Sequence, residues 1–408
     1  MKFLVCAILV VGSAMAFAQQ PAVAGDADQA QATKDSNAFA IDLYSRLCAQ
    51  PGNLFFSPES ISTAFAMAYA GARGQTATQM ARVFHFTLPP DRLHPAMGAL
   101  LAAMNGKHDS YELHTADALW AQQDENFLES YLKLMQTDYG AELHRVDFRT
   151  SPETVRTTIN QWVEQQTNDK IKDLIGPGVL TPLTRLVLTN AIYFKGTWQN
   201  QFDKAATEEG GEFHLTAATT AKAPLMHRTG SYLYYDGGTF QELELPYRSD
   251  NPGDGLAMVV LLPKEMDGLV ALDQQFTAEA ANDWIGKLEP TERVILTLPR
   301  FTMTQQFELS QTLAAMGMAQ AFSSAADFSG MTGKPEFQIS AAIHKAFVDV
   351  NEEGTEAAAA TSIVMRAAAM RVQPPPITFR ADHPFLFMIR DVKTGGILFM
   401  GRVEDPTK

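Results

Sequence analysis

The chain has 408 residues, of which 46% are hydrophobic and 19% charged, which is the composition of a globular protein rather than a disordered or fibrous one. Its length suits one large domain or two ordinary ones. The formal net charge is −14 and the sequence has no dense run of Lys and Arg, so we expect neither nucleic acid, nor a membrane, nor heparin as a partner.

The first residues have the pattern of an export signal. Lys2 supplies a positive charge, residues 3–11 form an apolar core, and Ala16-Phe17-Ala18 is typical of a cleavage site. The apolar run is too short for a membrane anchor and ends in small residues. We therefore expect a signal peptide at 1–18, a flexible polar leader at 19–35, and a secreted protein, either extracellular or periplasmic.

Removal of that signal leaves Cys48 as the single cysteine, so an intrachain disulfide is not expected. Cys48 continues the apolar helical face of Ala40, Leu43, Tyr44 and Leu47, which predicts a buried thiol rather than a reactive one. The nine His residues are scattered, so we expect no metal and no other cofactor. N-glycosylation is not expected, because the sequence contains no N-x-S/T motif.

Helical patterns dominate the first third of the chain. One runs from about Asn37 to Cys48. Ser57-Pro58, a capping residue followed by a proline, opens a second helix, which is apolar almost all round from Ile61 to Ala70 and is therefore typical of the middle of a large protein. Ser151-Pro152 opens a third, whose apolar stripe consists of Val155, Ile159, Trp162 and Val163.

Strand-like patterns dominate the last third. The predicted strands are Leu186 to Phe194, Met258 to Leu262, Val294 to Leu298, Ala346 to Val350, Phe385 to Ile389 and Ile397 to Met400. The last two are joined by a hairpin turn, 391–396, that contains two glycines. Helices followed by strands predict an α+β fold with antiparallel sheets rather than a doubly wound sheet.

The segment from Glu352 to Arg371 is unusually rich in small residues. With period two, one set of its residues would face a core and the other would face water. The core-facing set is Thr355, Ala357, Ala359, Thr361, Ile363 and Met365. Yet the four consecutive alanines at 357–360 have poor strand propensity and strong helix propensity, so composition by itself favours an exposed Ala-rich helix or linker.

Several motifs in order along the chain resemble the serpin family, and the resemblance covers about Asn37 to Pro406. The hinge of inhibitory serpins, Glu-x-Gly-Thr followed by small residues, stands here as Glu352, Gly354, Thr355, Ala357, Ala358, Ala359 and Ala360. The other motifs are Asn53-Leu54-Phe55-Phe56-Ser57-Pro58, Thr189-Asn190-Ala191-Ile192-Tyr193-Phe194-Lys195-Gly196-Thr197-Trp198, His383-Pro384-Phe385-Leu386-Phe387 and Phe399-Met400-Gly401-Arg402-Val403.

The resemblance implies a single serpin domain at 36–408, with about nine helices on three mainly antiparallel β-sheets and an exposed reactive-centre loop at about 352–376. It implies an inhibitor of serine proteases rather than an enzyme. The protease attacks the loop and forms an acyl-enzyme, the cleaved loop inserts into the central sheet, and the displaced protease loses its catalytic geometry, so that deacylation stalls. The expected partners are serine proteases held covalently, and a monomer is expected.

The resemblance also assigns roles to residues. Counting Glu352 as the first of seventeen places the scissile bond at Ala368–Ala369, and a small side chain there implies an elastase-like or subtilisin-like target. Because the loop after this point looks longer than in many serpins, Met370–Arg371 and Arg371–Val372 stay open as alternatives, the latter for a trypsin-like protease.

Two further sets of residues match family positions that control the opening of the central sheet. The polar cluster beneath the sheet, called the shutter, is matched by Ser57, Ser60, Asn190 and His344. Trp198 matches the aromatic residue at the breach, the top of the sheet where insertion begins. His344 and Trp198 also suit the alternative interpretation of ordinary core residues.

Two other functions are alternatives to protease inhibition. Ser130-Tyr131-Leu132-Lys133, Ser249-Asp250-Asn251 and Lys393-Thr394-Gly395 match the S-x-x-K, S-D-N and K-T-G motifs of serine β-lactamases. Ser130 lies toward the polar side of an amphipathic stretch and the other two motifs lie in predicted turns, which disfavours acyl transfer. A non-inhibitory serpin, such as a carrier or chaperone, is the other alternative, but the small hinge residues favour an inhibitor.

Overall fold

The computed structural model describes residues 25–106, 111–141, 143–249, 255–355 and 375–408. The helices in these ranges are α1 (Asp26–Leu47), α2 (Pro58–Tyr69), α3 (Gly74–Val83), α4 (Pro90–Met104), α5 (Glu129–Tyr139), α6 (Pro152–Gln166), α7 (Leu269–Gln275), α8 (Ala278–Ile285), α9 (Ser310–Leu313) and α10 (Ser329–Thr332). The strands are β1 (Leu54–Phe56), β2 (Tyr111–Gln122), β3 (His144–Val146), β4 (Leu186–Thr197), β5 (Glu208–Thr216), β6 (Thr219–Asp236), β7 (Phe240–Pro246), β8 (Leu256–Pro263), β9 (Glu289–Pro299), β10 (Phe301–Glu308), β11 (Ala341–Val350), β12 (Gly354–Thr355), β13 (Ile377–Arg380), β14 (Phe385–Asp391) and β15 (Ile397–Val403).

The structure confirms the elements that were predicted from patterns among neighbouring residues. Each predicted strand lies inside an observed one, and α2 and α6 begin at the prolines that were expected to open them. Ser57 caps α2, since its side chain accepts a hydrogen bond from the backbone N–H of Ser60. Residues 58–68 of α2 are all buried, as a helix that is apolar all round requires.

Within the described ranges the strands form two sheets. A six-stranded sheet, called the central sheet below, has the order β10-β11-β12-β4-β2-β3, and β11 also pairs directly with β4. A nine-stranded sheet has the order β1-β15-β14-β8-β7-β6-β9-β13, with β5 on β6. Most pairings are antiparallel, so the α+β architecture is confirmed, although three sheets were expected.

The reason for finding two sheets instead of three is the length of β6. Its first part pairs with β5, its last residues 233–236 pair with β7, and β9 runs along its other side. Because β6 pairs with β5 and β7 at its two ends and with β9 between them, one sheet forms where two separate sheets were expected.

The central sheet is covered on both faces, and this arrangement positions the candidate site. Leu188, Ile192 and Phe194 of β4 belong to the main core, which also contains α2. Val187 and Ala191, on the opposite face, pack in a second apolar cluster with residues of α6. Alternate side chains of β4 thus point to opposite faces of the sheet, and each face packs in a different hydrophobic core.

The expected flexible leader is wrong for residues 26–35, since α1 begins at Asp26 rather than near Asn37. The Ala- and Gln-rich segment has good helix propensity, and Asp26 and Asp28 stand in the first turn, where the helix dipole favours acidic side chains. Asp35 fixes this part of α1, because its carboxylate accepts hydrogen bonds from the N–H and the hydroxyl of Thr87. The predicted signal peptide lies outside the described residues.

Cys48 is only half-buried, so the expectation of a core thiol was too strong. It stands at the C-terminal cap of α1 and partly packs against the core. Burial nevertheless raises the pKa of its thiol, followed by the effect of nearby Asp273. In the part of the chain that the structure describes, no helix combines the length and the apolar character needed to cross a membrane.

Candidate functional site

The centre of the central sheet is split at one end. β4 and β11 run parallel and are paired from Val187–Ala341 to Tyr193–Phe347. Beyond that pair they diverge, and β12 lies between them, antiparallel to both. Thr355 of β12 is opposite Val350 of β11 and Gly196 of β4. The first residues of the predicted hinge therefore already form a short strand inside the sheet.

Gly354 is required by this close approach. Its φ is +153°, and a Cβ atom at this position would lie 2.0 Å from the carbonyl oxygen of Gly196. No other residue fits there without displacing the backbone of β4. Asn351 completes the turn between β11 and β12, because its side-chain oxygen accepts a hydrogen bond from the N–H of Glu353 at 3.0 Å.

Thr355 is completely buried, and two aromatic side chains lie beside it. Its Oγ1 is 2.9 Å from the hydroxyl of Tyr247. Burial raises the pKa of Tyr247 well above its usual value, so this phenol keeps its proton. Trp198 stacks on Tyr247 at 4.5 Å between ring centroids. The inward orientation predicted for Thr355 is thus observed, while the rest of its period-two set lies outside the described residues.

The hinge turn is also held from the side. Trp198 Nε1 donates a hydrogen bond to Asn351 O at 2.9 Å, so the predicted breach residue does lie at the hinge. The carboxylate of Glu352 is buried and accepts hydrogen bonds from Thr207 Oγ1 at 2.7 Å and Arg300 Nη1 at 3.1 Å. These partners stand far away in the sequence and carry no motif, so no local signal identifies them.

The four predicted shutter residues form one buried network below the split. Ser57 N donates to His344 Nε2 at 3.1 Å, so the ring proton is on Nδ1, which donates to Asn190 Oδ1. Asn190 Nδ2 in turn donates to Ser60 Oγ at 2.6 Å. The contact between His344 of β11 and Asn190 of β4 therefore crosses the line along which these two strands pair.

Asp117 of β2 is a fifth member that the sequence analysis missed. Ser60 Oγ donates to its carboxyl group at 3.0 Å, and Asn190 Nδ2 also contacts it. Asp117 as a residue keeps some exposed surface, but its carboxyl group faces these buried partners. The sequence does contain a pattern that could have identified it: Asp117 is a charged residue on the same face of the strand as Leu113 and Leu119, which belong to the main core.

Burial favours the uncharged form of both ionisable members of the network. Burial lowers the pKa of His344 to about 3. Burial raises the pKa of Asp117 to about 8, although the hydrogen bonds from Ser60 and Asn190 act in the opposite direction. A neutral network avoids the cost of an isolated charge at the base of the sheet.

The remaining predicted residues are placed as follows. Ala357 to Ala360 and the predicted scissile bond Ala368–Ala369 lie outside the described residues, as do both alternative bonds. Ser130 and Lys133 are exposed on α5, and Lys393-Thr394-Gly395 forms part of the turn between β14 and β15. Among the residues described, no group of three or more His, Cys, Asp or Glu side chains is arranged to hold a metal ion.

Comparison with known proteins gives likenesses over almost the whole chain. The family model described as Serpin (serine protease inhibitor) matches residues 34–406. Leukocyte elastase inhibitor from Homo sapiens is 41% identical over 387 residues, covering 92% of this chain and 100% of that protein. An uncharacterized serpin-like protein from Thermococcus kodakarensis is 40% identical, covering 91% of this chain and 84% of its own length.

Solved structures agree with the sequence comparison. Uncleaved ovalbumin matches with a TM-score of 0.82 at 30% identity, covering 92% of this chain and 100% of its own. Human thyroxine-binding globulin complexed with thyroxine matches with a TM-score of 0.83 at 30% identity, covering 93% and 100%. The chain therefore shares its overall fold with both ovalbumin and thyroxine-binding globulin.

Proposed function

Because the chain belongs to the serpin family, we propose that it is a suicide-substrate inhibitor of serine proteases and not an enzyme. The observation that carries the proposal is β12, which lies between β4 and β11 with Thr355 buried. Cleavage further along the loop would let this two-residue strand lengthen into a full one. The likeness to leukocyte elastase inhibitor supports the same function.

The energetics of insertion favour this mechanism. About fifteen residues of new strand, at ~3.3 Å each, would form a ladder of roughly 50 Å. Each inserted residue gains backbone hydrogen bonds to two neighbouring strands, and alternate side chains become buried. Small side chains in the hinge sequence lower the steric barrier to passage between β4 and β11. Such a gain explains how a protease acylated on the loop would be displaced and its deacylation stalled.

We also propose Ala368–Ala369 as the reactive bond, with an elastase-like or subtilisin-like target. The support is the family count from Glu352, the small residue at 368 and the name of the human relative. Met370–Arg371 and Arg371–Val372 remain the alternatives. A carrier function has one observation in its favour, the likeness to thyroxine-binding globulin, but the small residues of the hinge sequence favour inhibition.

Incubation with pancreatic elastase, subtilisin and trypsin tests the proposal. We expect an adduct that survives boiling on a denaturing gel, and a released C-terminal peptide that begins at Ala369. A peptide beginning at Val372, formed with trypsin, would keep the mechanism and move the reactive bond. Cleavage by every protease without any adduct would contradict inhibition and favour a non-inhibitory role.

Thr355→Arg gives the sharpest variant for this experiment. Arginine at 355 would have to bury a charge between β4 and β11 against Tyr247, so insertion should fail and the variant should be cleaved as a substrate. Thr378→Arg is the matched control, because Thr378 is exposed on β13 beyond the loop. Undiminished adduct with Thr355→Arg would contradict insertion.

Secretion is part of the proposal and rests on the sequence pattern alone. We propose cleavage after Ala18, so the exported protein should begin at Gln19. N-terminal sequencing of protein recovered from outside the producing cell tests this, and a retained Met1 would contradict it.

A further inference from the structure

The segment 168–175, which follows α6, crosses the outer face of the central sheet. Its polar contacts reach three strands: Asn168 contacts His114 of β2 at 3.2 Å, the carbonyl of Lys172 accepts from Lys345 of β11 at 2.7 Å, and the carbonyl of Leu174 accepts from Gln306 of β10 at 3.1 Å. The segment therefore bridges both sides of the line along which β4 and β11 meet.

Lys170 lies over that line. Its Nζ is 5.8 Å from the ring centroid of Tyr193 and 5.9 Å from that of Phe347, both within the range of a cation–π interaction. The two rings belong to β4 and β11 and are 6.0 Å apart. A single cation thus contacts an aromatic ring on each of the two strands. We call these three residues the Lys170 cluster.

The position of the cluster along the sheet is decisive. Tyr193 and Phe347 form the last direct pair between β4 and β11 before the split. β12 ends at Thr355, opposite Gly196 and Val350, which stand three residues further along each strand. A strand that lengthens from Thr355 into the sheet therefore meets the Lys170 cluster first, before any other direct pair of β4 and β11.

We propose that Lys170 is a positioning residue that sets the rate at which the cleaved loop separates β4 from β11. The inference rests on the proposed inhibitory function. An acylated protease has two outcomes, trapping by insertion or release by deacylation, and the slower the insertion, the more often the inhibitor is merely cleaved. The same contact holds the two strands together in the intact protein, so Lys170 balances resistance to premature opening against efficiency of trapping.

Three variants of the full-length protein test this role. Lys170→Gln keeps much of the stem and removes the cation, while Lys170→Arg keeps a cation that also stacks on aromatic rings. Lys172→Gln is the matched control, since it makes the same change two residues away on an exposed side chain. Circular dichroism should first show that all variants are folded.

The main measurement is the rate at which a synthetic peptide with the sequence of residues 356–367 anneals to the intact protein, followed by the rise in melting temperature. We expect Lys170→Gln to anneal about five-fold faster or more, from a cation–π contribution of ~1 kcal/mol. Lys170→Arg and Lys172→Gln should anneal at the wild-type rate. With a protease that the wild type traps, Lys170→Gln should need no more inhibitor per protease than the wild type does.

The outcomes separate this inference from the function on which it rests. Annealing at equal rates in Lys170→Gln and wild type would overturn the role of Lys170 and leave inhibition standing. Equal acceleration in Lys170→Gln and Lys172→Gln would also overturn it, because only net charge would then matter. Failure of the peptide to anneal to any variant, together with no covalent adduct, would overturn the insertion mechanism itself.

Discussion

Asp117 is the residue whose chemistry is least expected in its surroundings. The polar network around it also contains serine, asparagine and a neutral histidine, and it joins β2, β4, β11 and α2 at the base of the split. A carboxyl group there binds a proton more tightly in the folded than in the unfolded chain. Its proton therefore couples the stability of the sheet to pH.

Asp117→Asn should remove that coupling. The unfolded pKa is about 3.9 and the folded pKa is raised to about 8, so the stabilisation is complete below pH 4 and is lost as pH rises through 8. We expect the variant to melt at a higher temperature than wild type at pH 8 and at nearly the same temperature at pH 4. Melting curves followed by circular dichroism measure this. The exposed Asp91→Asn serves as control, and an equal shift for Asp117→Asn at both pH values would contradict the prediction.

Gly354 offers a second test on a single residue. In Gly354→Ala the new Cβ would meet the backbone of β4, so we expect β12 to leave the sheet and covalent trapping to fall. Gly52→Ala is the control, because Gly52 also has a positive φ, +111°, but has open space around it. The fraction of covalent adduct on a denaturing gel is the measurement. If both variants lost adduct equally, the effect would come from backbone strain rather than from β12.

The proposed function depends on the two-residue strand β12, which would lengthen after the loop is cleaved. If the loop inserts, cleavage within residues 363–372 should extend β12 along β4 and β11 and raise the melting temperature sharply. Calorimetry of intact and cleaved protein tests this, with cleaved Thr355→Arg as the control that should show no such rise. A cleaved wild type that melts no higher than the intact protein would rule out insertion.

The elements differ in how far the sequence alone could locate them. β4, β14, β15, α2 and α6 were predicted because their apolar periods, caps and turn residues act over a few neighbours. The start of α1 was missed because its first residues are polar and give little apolar periodicity, although their helix propensity is good. In the described ranges the strands form two sheets where three were expected, because the long strand β6 pairs with β5, β7 and β9, and the sequence does not reveal which strands flank it.

The residues of the candidate site also differ in whether the sequence alone could identify them. Glu352, Gly354, Thr355 and the shutter residues were found through motifs. Tyr247, Arg300 and Lys170 were missed because they reach the site only through the fold. Tyr247 and Thr355, for example, are 108 residues apart in the chain but share a hydrogen bond. No pattern in a single sequence reports a contact of that kind.

The whole molecule should lose stability as pH rises from about 6.5 to 8. Burial raises the pKa of several carboxyl groups in the described part of the chain, among them Glu59 to about 7 and Asp117 and Glu242 to about 8. In this window they keep protons that the unfolded chain has released, so stability falls with rising pH. Glu242 contributes most plainly, since both its carboxyl oxygens are buried without a hydrogen-bond partner.

Below pH 6.5 two buried histidines act in the opposite direction. Burial lowers the pKa of His94 to about 4 and that of His344 to about 3, so their stabilisation is lost as pH falls from 6.5. The melting temperature should therefore change little between pH 4.5 and 6.5 and fall between 6.5 and 8.5. Melting curves over this range test the expectation, and Glu242→Gln should reduce the fall. A melting temperature that rises up to pH 8.5 would contradict it.

The contact between His344 and Asn190 has a further consequence for the stoichiometry of inhibition. If the cleaved loop forms a new strand between β4 and β11, this contact is broken and the cut peptide bond is not remade, so each molecule acts once. Inhibition would then follow the rules of a titration, with an end point fixed by the number of inhibitor molecules. Doubling the protease beyond that point would leave the excess untouched, and protection would return only with newly synthesised protein.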